Sequence, residues 1–209
     1  MRSSAAQMVC LAFGALGLIG VMRCCTVPQW KMSSFIGSNI VTSQVNYEGL
    51  WMSCVTQSTG QQQCKVYDSM LVLTSDLQAG RPMTVISCIL CGLSLLILLF
   101  GADFTTCVQN QEAKPEISLA AAVGLLLADL LVIIPVSWSA HNTVTHNQMY
   151  PTSQKIELGE CIYIGWAAGV ILILAGGLLC CFSRSRSNSS GGTATYYSNR
   201  ASVAYDDVM

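Results

Sequence analysis

The chain has 209 residues, of which 52% are hydrophobic and only 10% are charged, and its net charge is −1 at pH 7. This composition is far from that of soluble domains and is typical of a membrane protein. It provides no basic surface for nucleic acid, so nucleic-acid binding is excluded as a function class.

Four long segments are nearly free of charge: residues 3–22, 82–102, 117–136 and 161–183. A helix rises about 1.5 Å per residue, so roughly 20 residues cross a hydrocarbon core about 30 Å thick. Each segment is therefore predicted to be a transmembrane helix. The first could also be a cleaved signal peptide, because Arg2 precedes it. No small-x-small cleavage site follows, and Arg23, Cys24 and Cys25 interrupt the expected position, so an uncleaved helix is favoured.

The loop after the first helix, about residues 28–81, has the composition of β-strands, with candidate runs at 39–45, 51–57 and 61–67. A three-residue turn with Gly60 in the left-handed conformation places Cys54 directly opposite Cys64. A disulfide between them persists only in an oxidising compartment. The loop is therefore predicted to be extracellular and both termini cytosolic.

After Cys64 the apolar period becomes helical, with Val66, Met70, Leu73 and Leu77 predicting a short surface helix and Pro82 a plausible start of the second transmembrane helix. The second outer loop is short and polar, so it can supply one strand or a helical extension. The tail is rich in Ser, Gly, Tyr and Arg and is predicted to be disordered. The predicted organisation is a cytosolic N-terminus at 1–7, transmembrane helices at 8–27, 82–102, 117–138 and 161–182, extracellular loops at 28–81 and 139–160, a cytosolic loop at 103–116 and a cytosolic tail at 183–209.

Several motifs, in this order, resemble the claudin family. They are Trp30, Gly49-Leu50-Trp51, Cys54, Gln57-Ser58-Thr59-Gly60, Cys64, Ile134-Pro135-Val136-Ser137-Trp138 and Gly165-Trp166. The resemblance implies an all-α membrane four-helix bundle, left-handed, carrying an extracellular five-stranded antiparallel β-sheet with four strands from the first loop and one from the second. It also implies that Trp30, Gly49, Leu50 and Trp51 anchor this sheet to the membrane surface.

By the same resemblance, the protein is a structural and adhesive component of tight junctions in the plasma membrane. Its expected partners are other claudins, in the same membrane and across the gap between cells. The polymerised strands seal the paracellular route or give it charge-selective pores. No cofactor and no enzymatic activity are expected.

Two departures from the family concern partner contacts. The family usually has an aromatic pair where this chain has Gln148-Met149, and that pair helps to receive a neighbour's methionine, here Met70. Polymer contacts are therefore expected to differ from the usual ones. Family tails usually end in Tyr-Val and bind PDZ scaffold proteins, whereas this tail ends in Asp207-Val208-Met209, which indicates weakened or altered PDZ binding, or an unbound tail.

A third departure is charge inside the membrane, where Arg23 and Asp129 replace small or apolar residues. Each costs on the order of 2.5–3.5 kcal/mol near a helix centre. Both lie a few residues before a proline on helices that run outward, which predicts similar depths. The hypothesis is an interhelical ion pair; the alternative is snorkelling of Arg23 beside a protonated Asp129.

Charge selectivity in the family depends on the residues after the two loop cysteines, here Val55 and Lys65. A cation pore requires an uncompensated carboxylate lining, and none is evident here. The chain is therefore predicted to form a barrier, with Lys65 either influencing ions or acting as a solvated strand residue. The alternatives are a weakly anion-selective pore and a non-junctional relative, such as a channel accessory subunit or an adhesion protein.

The remaining cysteines allow two further interpretations. Cys88 and Cys91 form a Cys-x-x-Cys that a membrane thiol oxidoreductase could use, but no nearby base or positive charge activates a thiol. Cys107, Cys180 and Cys181 lie at the cytosolic membrane edges and are palmitoylation candidates, with plain interfacial packing as the alternative. The sequence shows no catalytic triad and no metal-ligand spacing.

Overall fold

A computed structural model describes residues 2–35, 44–69, 73–101, 114–149 and 154–206. In chain order these form α1 (Arg2–Thr26), β1 (Lys31–Phe35), β2 (Gln44–Glu48), β3 (Met52–Thr56), β4 (Gln62–Val66), α2 (Ser75–Gly101), α3 (Lys114–Met149), β5 (Gln154–Leu158) and α4 (Glu160–Asp206). Each helix contains a stretch long and apolar enough to cross a membrane, at Ala5–Thr26, Ser75–Gly101, Glu116–Met149 and Glu160–Arg184. The predicted combination of four apolar helices and a five-stranded antiparallel sheet is confirmed.

The helices form a bundle in which α1 and α3 are diagonal to each other. Each packs against both α2 and α4. The interior is built from small and aliphatic side chains such as Ala121, Ala128, Val132 and Leu172, each completely buried. Small residues let helices approach closely, which is how helices associate where lipid removes most of the hydrophobic driving force.

The sheet has the strand order β4-β3-β2-β1-β5, with every neighbouring pair antiparallel. The predicted hairpin register is confirmed, because Cys54 pairs with Cys64 and Val55 with Gln63. Gln57 N–H donates to Gln61 O at 3.1 Å, which closes a three-residue turn. Gly60 takes φ = 79° in this turn, a left-handed conformation that suits a residue without Cβ.

The helices extend beyond the predicted membrane segments. α2 begins at Ser75, so Pro82 lies inside it and is not its first residue. Val66 ends β4, so the predicted surface helix does not begin there; residues 70–72 lie outside the described residues. The second outer loop supplies both of the elements that the sequence allowed, because α3 continues to Met149 and β5 follows.

The two remaining differences concern the first loop and the tail. Of the predicted strand run at 39–45, only its end falls on β2, and residues 36–43 lie outside the described residues. The tail was predicted to be disordered, but its backbone continues α4 to Asp206. Once a helix is nucleated, each further residue that is fixed adds one hydrogen bond. A transmembrane helix can therefore continue into a following segment whose own helix propensity is low.

Candidate functional site

The candidate site is the extracellular sheet together with the contacts that hold it on the bundle. Cys54 lies at the centre of β3 and is completely buried, and it forms the disulfide with Cys64 of β4. The bond closes a loop across ten residues of sequence. It joins the edge strand β4 covalently to the interior of the sheet, as predicted from the register.

Trp30 connects three parts of the molecule. Its ring is completely buried, and its Nε1–H donates to the main-chain oxygen of Cys24 at the end of α1, at 2.8 Å. Its main-chain N–H donates to Glu48 O at 2.8 Å, and its own main-chain oxygen accepts from Gly159 N–H at 3.0 Å. One residue thus ties the first helix to β2 and to the junction between β5 and α4.

Gly49 and Leu50 dock the β2–β3 turn onto the bundle. A Cβ added to Gly49 would lie 2.2 Å from the Cα atom of Pro28, so only glycine permits this backbone approach. Leu50 is buried next to it, and its main-chain oxygen accepts a hydrogen bond from Arg81 Nε of α2. The Gly-Leu pair is therefore a contact between sheet and helices, which fits its predicted anchoring role.

Trp51 is 39% exposed, unlike its buried neighbour Leu50, and its ring lies against the guanidinium of Arg81. The Arg81 guanidinium is 5.3 Å from the centre of the Trp51 ring and 5.6 Å from that of Tyr67, so the two aromatic rings share one buried charge. Burial raises the pKa of the Tyr67 hydroxyl. The phenol therefore stays neutral at physiological pH and adds no charge beside Arg81.

A buried ion pair fixes β1 to the helices. Lys31 Nζ lies 2.7 Å from Asp76 Oδ2, with 10% and 3% of the two side chains exposed. Ser139 Oγ on α3 donates to the same Asp76 oxygen at 2.8 Å, and Lys31 also donates to Thr74 Oγ1 at 3.3 Å. Sequence reasoning missed this cluster, because its members are spread over more than 100 residues of sequence, from Lys31 to Ser139, and the sequence indicates only that the charges of the outer loop balance.

Asn147 holds the other end of the sheet. Its side-chain amide donates to Ile156 O, and its Oδ1 accepts from Ile156 N–H at 3.2 Å. These bonds satisfy part of the free edge of β5, which would otherwise be open to pairing with another strand. The neighbouring polymerisation candidates Gln148 and Met149 are exposed, Met149 at 71%. Met70 lies outside the described residues.

The selectivity candidates lie on the two strands of the β3–β4 hairpin. Val55 is half-buried on β3, and Lys65 is exposed on the edge strand β4. Lys65 Nζ forms an ion pair with Asp68 Oδ2 at 2.7 Å, and both side chains are more than three-quarters exposed. The hydrogen bond and the charge of Asp68 raise the pKa of Lys65, so the ammonium is charged at physiological pH.

The hypothesis of an Arg23–Asp129 ion pair is wrong for this structure. Arg23 is exposed, whereas Asp129 is buried and its Oδ1 has no hydrogen-bond partner. That oxygen faces α4, where a Cβ on Gly169 would lie 2.9 Å away. Arg23 lies on an exposed face of α1, whereas Asp129 faces α4 inside the bundle, so similar depth along the bundle does not bring the two charges together.

The other cysteine predictions involve unpaired thiols. Cys88 is half-buried and Cys91 is buried, and both are free. Cys180 is half-buried and Cys181 exposed, so both thiols at the end of the membrane segment of α4 are at least partly accessible. Among the residues that the structure describes, no three His, Cys, Asp or Glu side chains are grouped as metal ligands would be. Cys107, Asp207, Val208 and Met209 lie outside the described residues.

Comparison with known proteins decides the family. The family model described as PMP-22/EMP/MP20/Claudin matches residues 4–179. The chain belongs to this family. It is 47% identical to human claudin-4, with both chains covered completely, and 49% identical to human claudin-3, with 90% of this chain and 86% of the relative covered. Claudin-4 from Bos taurus is 46% identical over the full length of both chains.

These relatives confirm the predicted function of a tight-junction claudin. Membership of the claudin family also indicates that the chain associates with other claudins and is located in the plasma membrane at tight junctions. The geometry explains the family motif in physical terms. Trp30 and the Gly49-Leu50-Trp51 turn dock the sheet onto the bundle, and the disulfide makes the sheet rigid.

Proposed function

We propose that this claudin forms a sealing barrier in the paracellular gap. The observation that supports the proposal is the pairing of charge in the outer domain. Lys31 is paired with Asp76 and Lys65 with Asp68, each at 2.7 Å. Arg81 is buried beneath Trp51. A charge-selective pore needs a lining of uncompensated charge to replace the hydration that an ion loses, and paired charges do not provide one.

The barrier proposal is tested by expressing the chain in an epithelial cell layer that lacks its own claudins. Transepithelial resistance should rise and the flux of small uncharged solutes should fall relative to the parental layer. A layer with abundant junctional protein but a lower resistance would contradict the proposal, because a pore former opens the route that a barrier closes.

Polymerisation is proposed to use the exposed end of α3, where Met149 is 71% exposed beside Gln148. An apolar side chain this exposed on the outer domain is suited to a contact with a neighbouring molecule. Freeze-fracture of transfected fibroblasts should show continuous intramembrane strands. Their absence, with the protein present at the cell surface, would favour a non-junctional member of the family that acts as an accessory subunit or an adhesion protein.

The orientation proposed for the chain places both termini in the cytosol. The disulfide supports this proposal, since it requires the sheet to face the oxidising side. On the cytosolic side, Cys107, Cys180 and Cys181 would accept palmitate, and Asp207-Val208-Met209 would bind a PDZ domain weakly. An epitope at the C-terminus should react with antibody only after permeabilisation of the cells; reaction with intact cells would contradict the orientation.

We further propose that the protein acts structurally and not as an enzyme. The Cys88 and Cys91 thiols lie on α2 within the candidate membrane span. Replacing both by Ala should leave junctional resistance intact. Loss of resistance in a variant that reaches the cell surface normally would instead support the thiol oxidoreductase alternative.

A further inference from the structure

The exposed ion pair on the edge strand carries an inference that rests on the proposed barrier function. Lys65 differs in its exposure from Lys31 and Arg81, the two cations that hold the sheet on the bundle. Lys31 and Arg81 are each only 8% exposed and are held by partners in the protein, whereas the Lys65 side chain is 77% exposed. An ion that passes along the described part of the sheet therefore meets the Lys65 ammonium more directly than either of the other two.

The geometry of β4 and the segment after it keeps Asp68 next to Lys65. Lys65 is the penultimate residue of β4, and Asp68 follows three residues later in a bend. Between them, Tyr67 is fixed, because its ring lies 5.6 Å from the Arg81 guanidinium and its main-chain N–H donates to Trp51 O at 3.3 Å. The backbone that carries Asp68 is thus anchored beside the lysine.

We propose that Asp68 is a selectivity-determining residue that prevents an anion-selective path by neutralising Lys65. At a distance of several ångströms, the fields of the two opposite charges largely cancel. An unpaired lysine about 6 Å from a permeating ion in water would enrich the anion about threefold and deplete the cation about threefold, so the local ratio would change about tenfold before salt screening reduces it. The barrier therefore depends on the pair and not on the absence of charge.

The test is a charge cycle measured by NaCl dilution potentials across claudin-free epithelial layers. Asp68→Asn should raise the ratio of chloride to sodium permeability about threefold or more, since it leaves Lys65 unpaired. Lys65→Gln should shift the ratio toward sodium. The double variant should return close to the wild-type ratio. All effects should shrink at higher ionic strength, because salt screens exposed charges.

A matched control removes the same charge at the start of α4, two residues beyond the opposite edge strand β5. Glu160 is exposed and follows β5, whereas Lys65 lies on β4 at the other edge. Glu160→Gln should shift the permeability ratio less than Asp68→Asn does. Equal shifts would overturn the proposal, because they would show that net charge and not the pair controls selectivity.

A second measurement tests the pair without a junction. In the purified protein, Lys65 should be acylated by an amine-reactive reagent more slowly in the wild type than in Asp68→Ser, since pairing stabilises the protonated amine. Equal rates, followed by peptide mass spectrometry, would overturn the proposal. If the rates differ but the wild-type layer does not seal, the proposed barrier function fails and the pairing stands. If the wild type seals and the Asp68 variants leave the permeability ratio unchanged, the selectivity role is wrong.

Discussion

Among individual residues, Lys31 and Lys65 show how the same ion-pair distance has different consequences at different depths. Both lysines lie 2.7 Å from an aspartate oxygen, but the first pair is buried and the second is open to water. Losing one partner of a buried pair leaves the other charge without compensation. Losing one partner of an exposed pair lets water replace it.

Lys31→Met should therefore destabilise the protein by about 3–5 kcal/mol, because Asp76 stays buried without its cation. The measurement is the free energy of unfolding in detergent. Lys65→Met is the matched control and should leave stability nearly unchanged. Comparable losses in the two variants would contradict the different roles assigned to the pairs.

Gly49 gives a prediction of steric origin. In Gly49→Ala, the new Cβ would lie 2.2 Å from the Cα of Pro28, a backbone atom that cannot move aside as a side chain can. The sheet should therefore lose its fit on the connection between α1 and β1, with reduced delivery to the cell surface and a lower melting temperature. Gly92→Ala on α2 is the control, since nothing lies within 4 Å of its added Cβ. Normal delivery and melting of Gly49→Ala would contradict the docking geometry.

Among the structural elements, the β3–β4 hairpin has its own stabilising bond. The disulfide spans ten residues of sequence, and on the chain-entropy model a loop of this length contributes about 2.7 kcal/mol. Replacing Cys54 and Cys64 together by Ser should lower the unfolding free energy by about that amount, and Cys181→Ser should have little effect. An unchanged stability in the double variant would show that the sheet does not depend on its bridge.

How much of each element could be predicted depends on whether its signal is local. The hairpin was predictable residue by residue, because turn chemistry and cysteine spacing lie within one short segment. The start of α2 at Ser75 was not, because Pro82 suggests a helix start by its own properties, whereas Asp76 and Leu77 enter the helix through burial against distant parts of the chain. β1 was expected only through the family resemblance, since Met32-Ser33-Ser34 carries little strand signal.

At the scale of the whole molecule, the arrangement of the bundle determines which charges can meet. Similar predicted depths in the membrane suggested an Arg23–Asp129 pair, but Arg23 lies on an exposed face of α1 whereas Asp129 is buried and faces α4. Of the two ion pairs described above, one joins the sheet to the bundle and the other links the edge strand β4 to the bend that follows it. Sequence reasoning identified the charge balance of the outer domain, whereas the pairing partners required the three-dimensional contacts.

The central claim is that the chain forms a barrier whose described outer lysines, Lys31 and Lys65, are paired with aspartates and therefore do not select anions. The most direct test is the NaCl dilution potential across a claudin-free epithelial layer that expresses the wild-type chain, measured together with the transepithelial resistance. A raised resistance with nearly no preference between sodium and chloride is the predicted result. A clear sodium preference, or a lowered resistance with chloride preference, would contradict the claim.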